Sequence, residues 1–407
     1  MGPSLVAHHF ERASALRASG ERLFDFTAGE PDFDTPVQIA AAAHRAIDTG
    51  ATRYTPVTGT EAMKAAIRQK FSRDNNLEFG VREVAASAGA KPMLAAAIQS
   101  VVGPGDDVVL AKPYWPSHVN MIRMCGARPV IVETKQASGY KLTPDCLYGA
   151  LTAHTRLLIL CSPSNPTGAV YTAAELEALG RVLLCHPKIL IVSDDVYEHI
   201  VFPPARFSTL AAVEPRLRAR TLTVGATSKS YAMTGWRVGF AGGPEGWINA
   251  IGTIFADAFG NPSAVSQAAA IEALTGDQTF LSDWRQSYQQ RRDLTVRSLR
   301  KIRGLEPLVP DGTFYAWVDC SALVAGCASH NHRIGGSGDL ANRLLNEARV
   351  AVVPGEGFGS TNAFRLSFAV GERELCAGLQ ALAEAIPSIA QGRASGARSG
   401  GEMRPNR

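Results

Sequence analysis

Residues 221–240 read TLTVGATSKSYAMTGWRVGF. Two short apolar runs, Thr221–Gly225 and Val238–Ala241 (the second extending one residue past this stretch), flank a turn of small and polar residues that carries Lys229 and Arg237. The same pattern recurs to the N-terminal side at Val84–Ser87, Asp107–Ala111, Leu157–Cys161 and Ile189–Ser193. Each run has four or five residues rich in Val, Leu, Ile and Ala, the pattern of a strand buried on both faces. Helix-like segments such as Lys91–Val102 and Ala173–Leu184 separate most of them. Strand alternating with helix predicts an α/β fold around a mostly parallel sheet flanked by helices. Ligands of such sheets lie beyond the carboxyl ends of the strands, where Ser193-Asp194 and Gly225 to Lys229 fall.

After Phe280 the pattern changes. A charged helix over Leu281–Ile302 leads to strands at Phe314–Asp319, Val350–Val353 and Phe364–Phe368, with helices at Asp339–Ala348 and Glu372–Ala385. This predicts a smaller α+β domain over 286–390 beside a large domain over 35–285, with residues 1–34 packing on the smaller one. Residues 391–407 are rich in Gly, Ser and Arg and are expected to stay disordered.

At 407 residues and 46% hydrophobic composition, the chain can bury a large core. Its formal net charge of +4 requires neither nucleic acid nor an acidic membrane as partner. No apolar run approaches the ~20 residues of a membrane span, and the start lacks the apolar core of a signal peptide. The seven cysteines include no C-x-x-C pair, and most have apolar neighbours. Buried free thiols in a cytoplasmic protein are expected, and no residue cluster is assigned to a metal.

The residues that suggest chemistry lie at the predicted strand ends. Lys229 follows a buried run among small residues. Near other cations and away from water, a lysine loses its proton more readily and can act as nucleophile and base. Arg237 enters an apolar run, where burial would demand an anionic partner, a phosphate or a carboxylate. Gly89, Ala90 and Lys91 open a helix whose free N–H groups suit a phosphate. Asp194 closes a strand, where a carboxylate can hold a ring nitrogen protonated or simply cap a helix. Tyr197 three residues later is a ligand contact or a core tyrosine. Asn165 sits in a loop stiffened by Pro163 and Pro166, either presenting its amide or merely turning the chain. Trp115 can stack on a flat ring or fill the core. Arg365 lies inside the apolar stretch FRLSF and suits a carboxylate bound as a fork.

These motifs resemble the class I aminotransferases of pyridoxal-phosphate fold type I, most of all the bacterial aspartate aminotransferases. The stretches that carry the resemblance are TAGEPDFDTP (Thr27–Pro36), RYTPVTG (Arg53–Gly59), PYWPSH (Pro113–His118), SPSNPTGAVY (Ser162–Tyr171), SDDVYEH (Ser193–His199), SKSYAMTGWRVGF (Ser228–Phe240), GTFY (Gly312–Tyr315) and FRLSFA (Phe364–Ala369). They span nearly the whole predicted folded chain.

The resemblance implies pyridoxal 5'-phosphate bound to Lys229 as a Schiff base, with this lysine shuttling the substrate proton. It implies that Asp194 pairs with the pyridine nitrogen, that Tyr197 and Asn165 bond the ring hydroxyl oxygen, and that Trp115 stacks on the ring. Gly89, Ala90, Lys91, Ser228 and Arg237 would hold the phosphate, joined by Tyr54 from the partner of a homodimer with shared active sites. Arg365, with Asn165, Trp115 and the Gly29 backbone, would bind the substrate. The substrates implied are an L-amino acid and a 2-oxo acid, exchanged by a ping-pong mechanism and of the aspartate/2-oxoglutarate type.

The chain departs from its relatives at several places. Gly225 and Ala226 stand where relatives often carry asparagine and serine, with Thr227 or Ser228 left to compensate. The stretch Asp257–Pro262 is unusual, and no basic residue is assigned to a distal carboxylate. The same machinery would also serve elimination, decarboxylation or oxidation. A ligand-sensing module of this fold would need an added DNA-binding domain, for which the ~35 residues before the core motifs are too few.

Overall fold

The computed structural model describes residues 11–12, 15–16, 18, 20–327 and 334–391. The predicted tail lies, from residue 392, outside the described residues. Seven strands form the main sheet: β1 (Val84–Ser87), β2 (Asp107–Lys112), β3 (Arg128–Glu133), β4 (Thr155–Cys161), β5 (Leu190–Asp194), β6 (Thr221–Ala226) and β7 (Gly239–Gly242). Their order is β1-β7-β6-β5-β4-β2-β3. Only β7 runs antiparallel to its neighbours, so the sheet is mixed and mostly parallel.

The central strands are mostly apolar because both faces are covered. Val108, Leu110, Leu157, Ile159 and Val192 pack on one side with Leu94, Ile98 and Ile122. Val109, Leu158, Leu160 and Ile191 pack on the other with Leu176, Leu179 and Leu183. At roughly 1.5–3 kcal/mol for each fully buried large aliphatic side chain, these two layers dominate the stability of the sheet. Strand β3 was not foreseen. Its residues are half-buried or exposed, as befits an edge, so the run Arg128–Glu133 lacks the continuous apolar signature.

A second sheet is antiparallel, with strands β8 (Glu306–Pro307), β9 (Tyr315–Asp319), β10 (Val353–Pro354) and β11 (Ala363–Ser367) in the order β10-β11-β9-β8. The long helices Phe280–Leu299 and Glu372–Ala390 pack beside it around Phe314, Phe364, Leu379 and Ile386. The two-residue strands Phe24–Asp25 and Val350–Ala351 pair in parallel, and Ser367 N donates to Phe26 O at 2.8 Å. Phe26 is fully buried against Gly378, where a β-carbon would lie 2.4 Å from the ring. This pairing anchors the N-terminal segment just before it enters the site.

The cysteines correct one expectation. Among the described ones all are free, but Cys146, Cys185 and Cys376 are exposed and only Cys320 is fully buried. Apolar neighbours in sequence do not place a residue on the inner face of a helix, and these three lie in or at the ends of helices. Among the described residues no helix is long and apolar enough to cross a membrane.

Candidate active site

Six strands bring polar groups to one edge of the main sheet. Strands β1, β2, β4, β5 and β6 end there, and the antiparallel β7 begins there. The N-terminal segment and strands β9 and β11 close the other side of a cavity of about 380 Å³. Lys229, Asp194, Asn165, Tyr197, Trp115, Ser228, Ala90, Lys91, Arg237, Arg365 and Gly29 all line it, as do Thr27, Cys161 and Tyr315, to which no role was assigned from sequence.

Lys229 lies on the short helix Thr227–Ser230 directly after β6. Its Nζ donates to Gly29 O at 2.5 Å. Burial, then the nearby charges of Arg365, Arg237 and Lys91, bring its pKa down to about 8, against the opposing pull of Glu30. An amine so poised is neutral often enough near neutral pH to act as a nucleophile.

Asp194 is the last residue of β5, and its Oδ2 is 3.0 Å from Nε2 of His118. His118 is only 2% exposed and lies on helix Pro116–Met124, edge-on to Trp115 with ring centroids 5.1 Å apart. With its proton on Nε2, His118 donates to the carboxylate and holds its orientation. His118 falls in the stretch PYWPSH, where nothing local gives it a role. Its spacing of three from Trp115 was the available signal.

Arg365 is 6% exposed. Its Nη1 donates to Asn165 Oδ1 at 3.0 Å, its Nη2 to Thr27 O at 2.9 Å, and its guanidinium lies 4.2 Å from the Tyr315 ring centre. Its Nε is buried without a hydrogen-bond partner. Among the described residues this buried cation has no carboxylate partner, so it retains capacity for an anionic ligand. Tyr197 Oη meets Tyr315 Oη at 2.9 Å.

The residues expected to hold a phosphate lie at the start of helix Ala90–Gln99. Gly89 caps it at φ +103°, a conformation that favours glycine. A β-carbon there would lie 2.3 Å from Arg237 Nη2, so the guanidinium rests directly on the glycine. Across the joint, a β-carbon on Gly239 would lie 2.4 Å from Ala90 N. Lys91 Nζ stands 5.3 Å from the Trp115 ring centre.

Arg237 departs from expectation in one respect. It is exposed, and its Nη1 donates to Thr234 O at 2.9 Å. Its stem precedes the apolar run of β7, but its head reaches the rim of the cavity, so burial does not compel a partner. The case for an anion rests instead on its stacking over Gly89. Thr227 donates its hydroxyl to Val238 O at 3.3 Å, leaving Ser228 as the hydroxyl that lines the cavity. Gly225 has a packing reason: a β-carbon there would meet the Phe240 ring at 2.4 Å.

Tyr54 is not brought to the cavity. It is 97% exposed and lines a separate pocket with Arg53, Thr55 and Gln267. Among the described residues, no group of three or more His, Cys, Asp or Glu side chains is placed to hold a metal ion.

A basic cavity with a poised lysine, a carboxylate backed by histidine and a half-satisfied buried arginine is organised for amino-group chemistry on a carboxylate-bearing substrate. The family model for aminotransferase class I and II matches residues 21–385, and the chain belongs to that family. It is an aminotransferase, a transferase of amino groups. It is 44% identical over 389 residues to the aspartate aminotransferase of Rhizobium meliloti (strain 1021), covering 96% of this chain and 95% of that protein. It is also 44% identical to the aspartate/prephenate aminotransferase of Cereibacter sphaeroides, covering 93% of this chain and 96% of that one. The crystal structure of an aspartate aminotransferase from Rhizobium meliloti superposes with a TM-score of 0.91 at 43% identity, covering 95% of this chain and 97% of that chain. These matches bear out the fold type I architecture read from the sequence.

Proposed function

We propose that the cavity binds pyridoxal 5'-phosphate and that the protein moves the amino group of an acidic L-amino acid, aspartate foremost, to a 2-oxo acid such as 2-oxoglutarate. The observation that carries this reading is the grouping of Lys229, Asp194 and Arg365 around one cavity, with Lys229 depressed in basicity by burial and by its cationic neighbours. The lining residues fit the cofactor. Asp194, held by His118, suits a protonated ring nitrogen, and Trp115 offers a face for stacking. Gly89, Ala90, Lys91, Ser228 and Arg237 make a cationic cradle at a helix N-terminus for the phosphate. Tyr197 and the Asn165 amide nitrogen are left to donate to the ring oxygen. When bound, the cofactor supplies the electron sink that lets the substrate α-carbon lose a proton.

The chain's own residues do the rest. Lys229 would hold the cofactor through its Nζ and, as a free amine, would take the proton from the substrate α-carbon. Arg365 holds the α-carboxylate, with Asn165 and Thr27 O fixing the guanidinium plane. Four cations line the cavity, Lys91, Lys229, Arg237 and Arg365, against the single carboxylate of Asp194. That excess favours a phosphate and a substrate α-carboxylate over neutral ligands, while the aspartate preference rests on the names of the relatives. The working form is a cytoplasmic homodimer in which Tyr54 of each subunit serves the other's phosphate pocket, with residues 35–285 and 286–390 as its two domains.

The test is a half-reaction screen. Purified protein loaded with pyridoxal 5'-phosphate is mixed with each of the twenty amino acids in turn, and the cofactor absorption is followed. Aspartate and glutamate should convert the band without any oxo acid present, and the oxo acid should restore it. Conversion by no amino acid, or steady release of ammonia or carbon dioxide without an acceptor, overturns the reading.

A further inference from the structure

Tyr315 is 1% exposed, lines the cavity and carries no role in the reading above. It comes from β9 of the small sheet, whereas Tyr197 follows β5 of the main sheet. Their hydroxyl oxygens lie 2.9 Å apart, so this bond joins the two halves of the molecule at the floor of the site. Arg365, from the neighbouring strand β11, sits 4.2 Å above the Tyr315 ring. A β-carbon on Gly29, whose carbonyl accepts from Lys229, would lie 3.2 Å from the Tyr315 hydroxyl. Tyr315 therefore touches the tyrosine, the arginine and the backbone segment that together surround Lys229.

Each phenol has one proton. If Tyr197 donates to the cofactor ring oxygen, as proposed above, it has none left for Tyr315, and the 2.9 Å contact requires Tyr315 to be the donor. The surroundings agree. Burial raises the pKa of both phenols, that of Tyr197 well above the ordinary value; the Arg365 charge opposes the rise at both, ranking directly behind burial at Tyr315, whose ring it faces, and behind the contact with Tyr315 at Tyr197. The phenol beside the guanidinium is the better donor.

We propose that Tyr315 is a positioning residue for Tyr197: its hydroxyl donates to the Tyr197 oxygen and turns the Tyr197 proton toward the ring oxygen of the cofactor. This rests on the proposed cofactor site. The two bonds form a chain, and each donor polarises the next, so the bond of Tyr197 to the ring oxygen is stronger than it would be alone. Because Tyr315 also lies under Arg365, a substrate carboxylate that draws on the guanidinium is felt at Tyr197.

The test is the pH titration of the cofactor absorption in the loaded, substrate-free protein. A hydrogen bond to the ring oxygen favours its anionic form and so lowers the midpoint at which the Lys229-bound cofactor loses its proton. Tyr315→Phe keeps the ring beneath Arg365 and removes only the donor. The midpoint should rise by roughly 0.5–1 pH unit, as expected for one weakened neutral hydrogen bond. Tyr197→Phe should raise it at least as far, and the double variant should match Tyr197→Phe alone. An unmoved midpoint in Tyr315→Phe, or shifts that add in the double variant, overturns the role of Tyr315. An unmoved midpoint in Tyr197→Phe instead overturns the contact between Tyr197 and the ring oxygen. If Tyr315→Phe does not fold, 3-fluorotyrosine in place of Tyr315, a more acidic phenol of nearly the same shape, should lower the midpoint, and no change there is equally fatal.

Discussion

Lys229 shows how a single residue is made reactive by what surrounds it. Its pKa falls from the ordinary 10.5 to about 8, first through burial and then through Arg365, Arg237 and Lys91. A lysine whose folded-state value lies below its unfolded one destabilises the cofactor-free protein wherever it must carry charge. That cost is complete below pH 8 and gone above about pH 10.5. Lys229→Met should therefore raise the melting temperature of the cofactor-free protein at neutral pH, with the difference closing as the pH approaches 10.5. The same variant should show no covalently attached cofactor. Arg365 acts through its planar fork, which meets Asn165 Oδ1 and Thr27 O at once. Arg365→Lys keeps the charge but loses the fork, and kcat/KM for amino and oxo acids should fall by roughly 10²-fold. Steady-state kinetics with both substrates check this. Equal kcat/KM in variant and wild type would remove Arg365 from substrate binding.

The joint between strand and helix is where small residues matter most. Gly89 at φ +103° opens the helix Ala90–Gln99, with the Arg237 guanidinium resting on it. Gly89→Ala should weaken binding of pyridoxal 5'-phosphate by roughly 10-fold or more, because the added methyl displaces the arginine and strains the turn. Titration of the cofactor-free protein by absorbance measures it. Gly239→Ala pushes a β-carbon to within 2.4 Å of backbone at Gly89 and Ala90. It should cost about 1–3 kcal/mol of stability by denaturant unfolding, since backbone cannot move aside as a side chain can. These joints were only partly legible in the sequence. The run SAGAKP marked a strand, a turn and a helix start, but the packing of Arg237 on Gly89 joins residues 148 positions apart in the chain. Arg237 is exposed for a related reason: an arginine flanked by apolar residues can bury its stem and still project its head.

For the whole molecule, the strongest expectation concerns assembly. Tyr54 is 97% exposed in the single chain, far more than a large aromatic ring usually is. If it completes the partner's phosphate pocket, Lys229→Ala and Tyr54→Ala subunits should complement each other. A mixed dimer carries one site with both substitutions and one with neither. Mixing equal amounts under exchange conditions should restore about a quarter of the wild-type sites, read as recovered transamination. No recovery, with exchange demonstrated independently, would separate Tyr54 from the active site.

The sequence by itself determined the architecture and most of the site. Apolar runs of four or five residues, bounded by turn residues and separated by helix-like segments, read as strands buried on both faces, and polar residues just after parallel ones fall at one edge of the sheet. Lys229, Asp194, Asn165 and Trp115 were legible for that reason. The tertiary structure alone decided what supports them. His118 reaches Asp194 across 76 positions, Tyr315 reaches Tyr197 across 118, and Arg365 reaches Thr27 across 338. Such contacts leave no local period in the chain. They exist because β9 and β11 and the N-terminal segment close against the main sheet, and that closure turns a row of strand ends into a positively charged cavity around Lys229.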